Sequence, residues 1–256
     1  MTKKQGRVLD DENYYEAYWS EERLPLISHE SGYGNFSSAL EHLFQTFTKP
    51  EDRCLDLGCG NGVTSGHWLT RNGRKYLGAD VSETAVATAR ASGLNVCTIS
   101  DASILPFKDE EFDTVVCVEV LEHLFLPHKA AQEIFRVLKS GGRLIATVPN
   151  AAHIGRRVEL GVRGVFNPMG DALSIDQPWR DPHIRFFTAQ TLAKMLRSVG
   201  FRNVSIGGHE GLIQRLPASW TRTRRADQGR RTRLDERLHS LATSILAVRL
   251  NAVARK

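Results

Sequence analysis

No apolar run in this chain approaches the roughly 20 residues that a membrane-spanning helix requires. The opening Met1-Thr2-Lys3-Lys4-Gln5-Gly6-Arg7 leads into acidic and aromatic residues rather than an apolar segment, so no signal peptide is expected. Cysteine is scarce. Its four copies, Cys54, Cys59, Cys97 and Cys117, are scattered without metal-ligand spacing, and three fall in predicted strands. They read as small buried hydrophobes of a reduced compartment, which makes the cytoplasm the expected location. Internal repeats are absent, and nothing signals an oligomeric state. An excess charge is nearly absent too: the net +5 over 256 residues is modest. It is uneven, however, because Arg215, Arg222, Arg224, Arg225, Arg230, Arg231, Arg233 and Arg237 crowd one late segment. Such a cluster can meet phosphates or anionic headgroups, although a solvated loop is the plainer reading.

What is present is an ordinary globular composition, 41% hydrophobic and 25% charged, long enough for one sizeable α/β domain with appendages. The centre of the chain is Cys54-Leu55-Asp56-Leu57-Gly58-Cys59-Gly60-Asn61-Gly62. A short apolar run ends in a carboxylate, and glycines then fall at every second position. Residues 63–71 read as a helix, so the turn joins a strand to a helix N-terminus, where α/β sheets bind nucleotide-like ligands. A dinucleotide fingerprint needs G-x-G-x-x-G, and here the third glycine comes one residue early. That spacing disfavours a nicotinamide-dependent oxidoreductase.

From Arg53 onward strands and helices alternate, which predicts a parallel sheet with crossover helices. Strands are expected at 76–80, 95–100, 112–118, 143–148, 203–206 and 248–254, after the first at Arg53. Helices are expected at 82–92, 127–138, 188–199 and 234–246, with a further piece near 153–160. Ser140-Gly141-Gly142 is expected to close the helix before the fifth strand. Ahead of the sheet, Phe36, Leu40, Leu43, Phe44 and Phe47 fall at helical spacing and Pro50 ends that helix. A shorter helix over 11–19 carries Tyr14, Tyr15, Tyr18 and Trp19, residues of a core or of a lid. The division expected is a tail and helical cap over 1–49, then one domain over 50–256. Two insertions interrupt that domain, a lid over 151–187 and the Arg-rich stretch over 211–235.

Two acids stand at successive strand ends: Asp80, placed to accept both hydroxyls of a ribose, and Asp101, followed by Ala102. With Asp56 and the glycines in the same register, the pattern Asp-x-Gly-x-Gly-x-Gly resembles the cofactor loop of class I S-adenosylmethionine (SAM) dependent methyltransferases. The runs Leu105-Pro106-Phe107, Phe112 to Cys117 and Leu138 to Leu144 are similar to the family's later segments, so the resemblance covers roughly residues 50–210. It implies a Rossmann-like seven-stranded, mostly parallel sheet with helices on both faces and its last strand antiparallel. It also implies SAM as cofactor, held by Asp56, Gly58, Cys59, Gly60, Gly62, Asp80, Val81, Asp101, Ala102 and Val118. Asp101 would take the adenine amino group.

Beyond the fourth strand lies Glu119-Val120-Leu121-Glu122-His123-Leu124. As the first turn of a helix it would set Glu119, Glu122 and His123 on one face, a donor set for a divalent cation such as Mg²⁺, Mn²⁺ or Zn²⁺. His183 supplies a fourth ligand or, without metal, a general base, and His123 and Glu119 are the other catalytic candidates. Small-RNA 2′-O-methyltransferases and quinone-biosynthesis O-methyltransferases carry a similar segment. These groups suit a hydroxyl acceptor. The absence of an Asn/Asp-Pro-Pro-Tyr segment weighs against amide or nucleobase-amine acceptors. A small-molecule acceptor (a quinone precursor, sugar or secondary metabolite) is therefore favoured. RNA 2′-O-methylation and a SAM-binding protein without catalysis are the alternatives.

Overall fold

A computed structural model describes residue 16 and residues 33–166, 182–210 and 241–256. Helix α1 (Tyr33–Phe47) precedes strand β1 (Arg53–Leu57), helix α2 (Gly66–Arg71) and strand β2 (Lys75–Asp80). Helix α3 (Glu83–Ala91), β3 (Val96–Thr98) and β4 (Phe112–Val118) follow, then a single 3₁₀ turn, Leu121–His123. Helix α4 (Pro127–Val137), β5 (Leu138–Pro149), α5 (Ile154–Arg163), α6 (Ala189–Val199), β6 (Arg202–His209) and β7 (Arg249–Arg255) complete the order. Residues 241–246 are helical. The expected helix over 11–19, its tyrosines, most of the helix over 234–246, Asp181 and the arginine cluster lie outside the described residues.

All seven strands join one sheet in the order β3-β2-β1-β4-β5-β7-β6. β1 to β5 pair in parallel, and β7 runs antiparallel to both β5 and β6. The central strands are mainly apolar where both faces are covered. Val115 and Cys117 of β4 face a core with Ala130, Ile134 and Val137 of α4 and Leu192 and Leu196 of α6. On the other side Val116 meets Leu40, Leu43 and Phe44 of α1, Leu69 of α2 and Val86 of α3. This is the Rossmann-like arrangement expected.

Several boundaries differ from those read in the sequence. α2 begins at Gly66, not Val63, because the chain is still turning after Gly62 (φ +80°) and Ser65 makes no side-chain cap. Ser140-Gly141-Gly142 does not close a helix. It lies inside β5, where Gly141 (φ +75°) accompanies a register shift against β4. β3 is shorter and β6 longer than expected. α6 matches its caps: the Thr188 hydroxyl accepts from Thr191 N, and Gly200 ends the helix at φ +119°.

Two buried polar side chains tie the sheet to what surrounds it. Asp56, fully buried in β1, accepts a close hydrogen bond from the Ser65 hydroxyl and one from Tyr76 Oη at 3.0 Å. Burial lifts its pKa to about 6 against the pull of those two hydroxyls. Asn150, just past β5, directs its amide at the carbonyls of Thr243, Ser244 and Ala247 (3.2, 3.2 and 2.8 Å) and accepts from Ala152 N at 3.0 Å. It therefore stitches the last helical residues onto the sheet.

Each tie generates a prediction. Asn150→Ala removes the donors from three carbonyls and should cost about 2–3 kcal/mol in urea unfolding. Asn150→Asp, which keeps the acceptor and loses the donors, should be no better, and an unchanged midpoint in both would refute the stitch. For Asp56, the folded pKa stands above the unfolded one, so the folded state binds the proton more tightly. Its contribution is fully present below about pH 4 and is lost as pH rises through about 6, a change of about 3 kcal/mol. Asp56→Asn should remove that component, so its stability profile between pH 4 and 6 should be flatter than the native one.

Candidate active site

The glycine loop leaves β1 and turns back over the edge of the sheet. Gly58, Gly60 and Gly62 all have positive φ (+73°, +53° and +80°). A methyl on Gly58 would stand 2.3 Å from Val120 Cγ2, and one on Gly62 would stand 2.1 Å from Leu94 Cδ1. At these two places neither backbone angle nor space admits a side chain. Gly58 N and Cys59 N both donate to Ala79 O, at 2.7 and 3.2 Å, which binds the loop to β2. Cys59 is buried beneath it.

Asp80 completes the cradle. One carboxylate oxygen accepts from Gly60 N at 2.7 Å, and the other accepts from Ser82 N at 3.0 Å. Burial pushes its pKa up, and these backbone bonds oppose the rise. Val81, directly beyond, is 38% exposed at the rim. Asp56 sits underneath rather than in the cradle, spent on Ser65 and Tyr76, so its part is to hold the loop from below. Asp101 is exposed and accepts from both Ser103 N and Ser103 Oγ at 2.7 Å, which caps its own turn, while Ala102 is buried. Val118, half-buried at the end of β4, packs on the face that carries α1.

One neighbour of this cradle was not legible in the sequence. Glu16 accepts a close hydrogen bond from Glu83 N and another from Thr84 N at 3.3 Å, at the start of α3. Burial works to raise its pKa, but bonds from Thr84 and Glu83 prevail and hold it below the usual carboxylate value.

The segment after β4 is not the first turn of a helix that starts at Glu119. Glu119 has φ +54°, and only Leu121–His123 coil, as a 3₁₀ turn. That geometry separates the expected donor set. Glu122, His123 and His183 present ligand atoms that all lie within 4.8 Å of one another. Glu122 Oε1 stands 3.8 Å from His123 Nε2 and 3.9 Å from His183 Nε2. Glu119 is not among them and is held by other partners. Its Oε1 accepts from Thr147 Oγ1 at 2.8 Å and its Oε2 from Arg249 Nε at 3.1 Å. Arg249 also makes a close ion pair with Glu210.

The three converging groups are held by backbone. Ile184 N and Arg185 N both donate to Glu122 O, at 3.0 and 2.9 Å, which draws the His183 strand onto the 3₁₀ turn. His123 Nδ1 lies 3.1 Å from Pro182 O, and the two imidazoles stack at 4.7 Å between centroids. Assigning the Nδ1 proton to that bond leaves the lone pair on Nε2. Glu122 is 1% exposed, and no hydrogen bond reaches either carboxylate oxygen among the described residues. Burial raises its pKa well above the ordinary value, Glu119 nearby raises it further, and Arg249 opposes the rise.

Thr147, Arg249 and Glu210 were also missed. Their one sequence signal is topological: an antiparallel last strand must begin at the edge where the parallel strands end. Register places Thr147 beside Val118, and Arg249 opposite both Pro149 and His209.

Residues 55–146 match the model of a methyltransferase domain. The chain is 32% identical over 188 residues to the ubiquinone/menaquinone biosynthesis C-methyltransferase of Roseobacter denitrificans, covering 66% of this chain and 73% of that protein. It is 33% identical over 104 residues to a ubiquinone biosynthesis O-methyltransferase of Pseudomonas fluorescens, covering 38% and 44%. The chain spans less than two thirds of the length of most curated relatives it matches. A SAM-dependent methyltransferase from Archaeoglobus fulgidus shares the fold, with a TM-score of 0.64 at 18% identity over 93% of this chain and 100% of that one. Domain match, relatives and sheet topology agree with the cradle: the chain belongs to the class I SAM-dependent methyltransferases.

Proposed function

We propose that the protein transfers a methyl group from SAM to a hydroxyl oxygen of a small molecule, beside a divalent cation held by Glu122, His123 and His183. The observation that carries this reading is the Glu122 carboxylate, buried without a hydrogen bond from the described residues and close to two imidazole nitrogens. A buried charge needs a compensating partner, and a cation would be one. Two ligands at about 2.0–2.2 Å from one ion stand at most about 4.2 Å apart, and the two carboxylate–imidazole separations fall inside that span. One carboxylate with two imidazoles is a donor set suited to Zn²⁺ or Mn²⁺.

When bound, SAM supplies an electrophilic methyl on a sulfonium. The cation, when bound, supplies charge that lowers the pKa of a neighbouring hydroxyl. The residues of the chain do the remainder. Asp80 and the glycine backbone fix the nucleoside end, with Asp80 pre-oriented by Gly60 N and Ser82 N. Pro182 O fixes the His123 ring. The paired backbone bonds to Glu122 O keep His183 beside it. Holding donor and acceptor in near-attack geometry contributes about 7–11 kcal/mol to such a displacement. The relatives include both an O- and a C-methyltransferase of quinone biosynthesis. A site whose groups favour a deprotonated oxygen speaks for the first of these chemistries.

The test begins with SAM calorimetry and a panel of hydroxylated acceptors, assayed with chelator and with added Zn²⁺ or Mn²⁺. Absence of SAM binding would sink the whole reading, and activity indifferent to chelator would remove the cation from it. Asp80→Ala should weaken SAM binding by about tenfold to a hundredfold, the loss of one to two charged hydrogen bonds. His183→Ala should leave SAM affinity intact and lower turnover about a hundredfold or more. Salt-sensitive RNA binding with transfer to a 3′-terminal ribose would move the acceptor from a small molecule to RNA.

A further inference from the structure

We propose that Arg249 is a positioning residue that withholds Glu119 from the Glu122–His123–His183 cluster, so that a cation there has three protein ligands and an open position for the acceptor oxygen. This inference rests on the cation reading above. Glu119 is placed in sequence to be a fourth ligand, three residues before Glu122 and four before His123. It is close enough to raise the pKa of Glu122. Yet its hydrogen bonds among the described residues go to Thr147 and Arg249, and it is not one of the three groups that converge.

The restraint has two parts. Thr147 grips the residue at three points: its carbonyl and its hydroxyl accept from Glu119 N at 3.1 and 3.2 Å, and the same hydroxyl donates to Glu119 Oε1 at 2.8 Å. Held so, Glu119 takes φ +54°, a conformation that non-glycine residues adopt only when their surroundings insist. Arg249 then takes Oε2 at 3.1 Å and is itself anchored to Glu210 on its other side. Glu210 has φ +63°. A guanidinium shared by two carboxylates, each on strained backbone, is a fixed spacer rather than a loose surface pair.

The chemical consequence follows from ligand count. A tetrahedral Zn²⁺ site closed by four protein ligands is structural, whereas one with three keeps a position for water or substrate. If Glu119 closed the cluster, the acceptor oxygen would have to displace a carboxylate. Arg249 prevents that closure.

The test is Zn²⁺ calorimetry on the full chain, with the visible absorption of bound Co²⁺ as a second readout. Arg249→Met should tighten Zn²⁺ binding by about tenfold or more, the scale on which neighbours of metal ligands act, and should alter the Co²⁺ spectrum as a ligand is added. Arg249→Met combined with Glu119→Gln should lose that gain. Thr147→Val, which keeps the buried volume, should give a smaller gain of the same sign and serves if Arg249→Met folds poorly. If the native chain binds no Zn²⁺, Mn²⁺ or Co²⁺, the cation reading itself fails and this inference falls with it. Native binding with unchanged affinity and spectrum in both variants overturns the role of Arg249 alone. An equal gain in the double variant overturns it too, because the tightening would not come through Glu119.

Discussion

A carboxylate out of reach of water must find a proton, a hydrogen-bond donor or a cation, and the burial of such groups at one edge of the sheet governs this molecule. Among the described residues Asp56, Asp80 and Glu122 are buried there, and the first and last of them are answered differently. Asp56 is buried under the glycine loop and is answered by two hydroxyls, from Ser65 and Tyr76, that belong to the elements on either side of the loop. The burden of burial is thereby turned into a tie that holds three segments together. Glu122 is as deeply buried and receives no hydrogen bond from the described residues, while two imidazole nitrogens lie at 3.8 and 3.9 Å. The first arrangement is complete as it stands. In the second, burial favours the protonated carboxyl group.

The topology of the sheet explains why these groups meet. In the parallel part, every strand ends on the same edge, which gathers the glycine loop, Asp80 and the turn after β4. A parallel sheet alone would bring only strand ends there. Because β7 runs the other way, its first residue, Arg249, arrives at that edge as well, opposite His209 at the end of β6. A cation is thus delivered into a crevice otherwise furnished with carboxylates and imidazoles. Its partners, Glu119 and Glu210, both lie directly beyond strand ends and both adopt positive φ.

The residues expected to hold the cofactor could be placed from the sequence because they are local. The glycines, Asp80 and Asp101 are recognised by their distance from apolar runs, and periodicity locates those runs. Even there, spacing described position and not use. It did not distinguish Asp56, which works from beneath the loop, from Asp80, which lines it. The cluster after β4 was only partly legible. Glu122, His123 and His183 came together as their residue types suggested, but the helix expected at Glu119 is a 3₁₀ turn that begins two residues later. Helical spacing assumes helical φ, and Glu119 has φ +54°. No pattern in Glu119 to His123 carries that information, since its cause lies in Thr147 and Arg249, 28 and 130 residues away.

This division has a physical reason. Cofactor recognition needs a backbone that approaches closely, and glycine spacing writes such a backbone directly into the sequence. Control of the acceptor side depends on which of several carboxylates is satisfied by which partner, and those partners are chosen by strand register. Arg249 can pair with Glu119 because Pro149 and His209 are its neighbours across β5 and β6. A shift of one residue would turn the side chains of β7 to the opposite faces of the sheet. Arg249 would then leave Glu119 without its guanidinium, with no alteration to Glu119 itself. In this chain the partner that Glu119 receives is set by the pairing of the last strand.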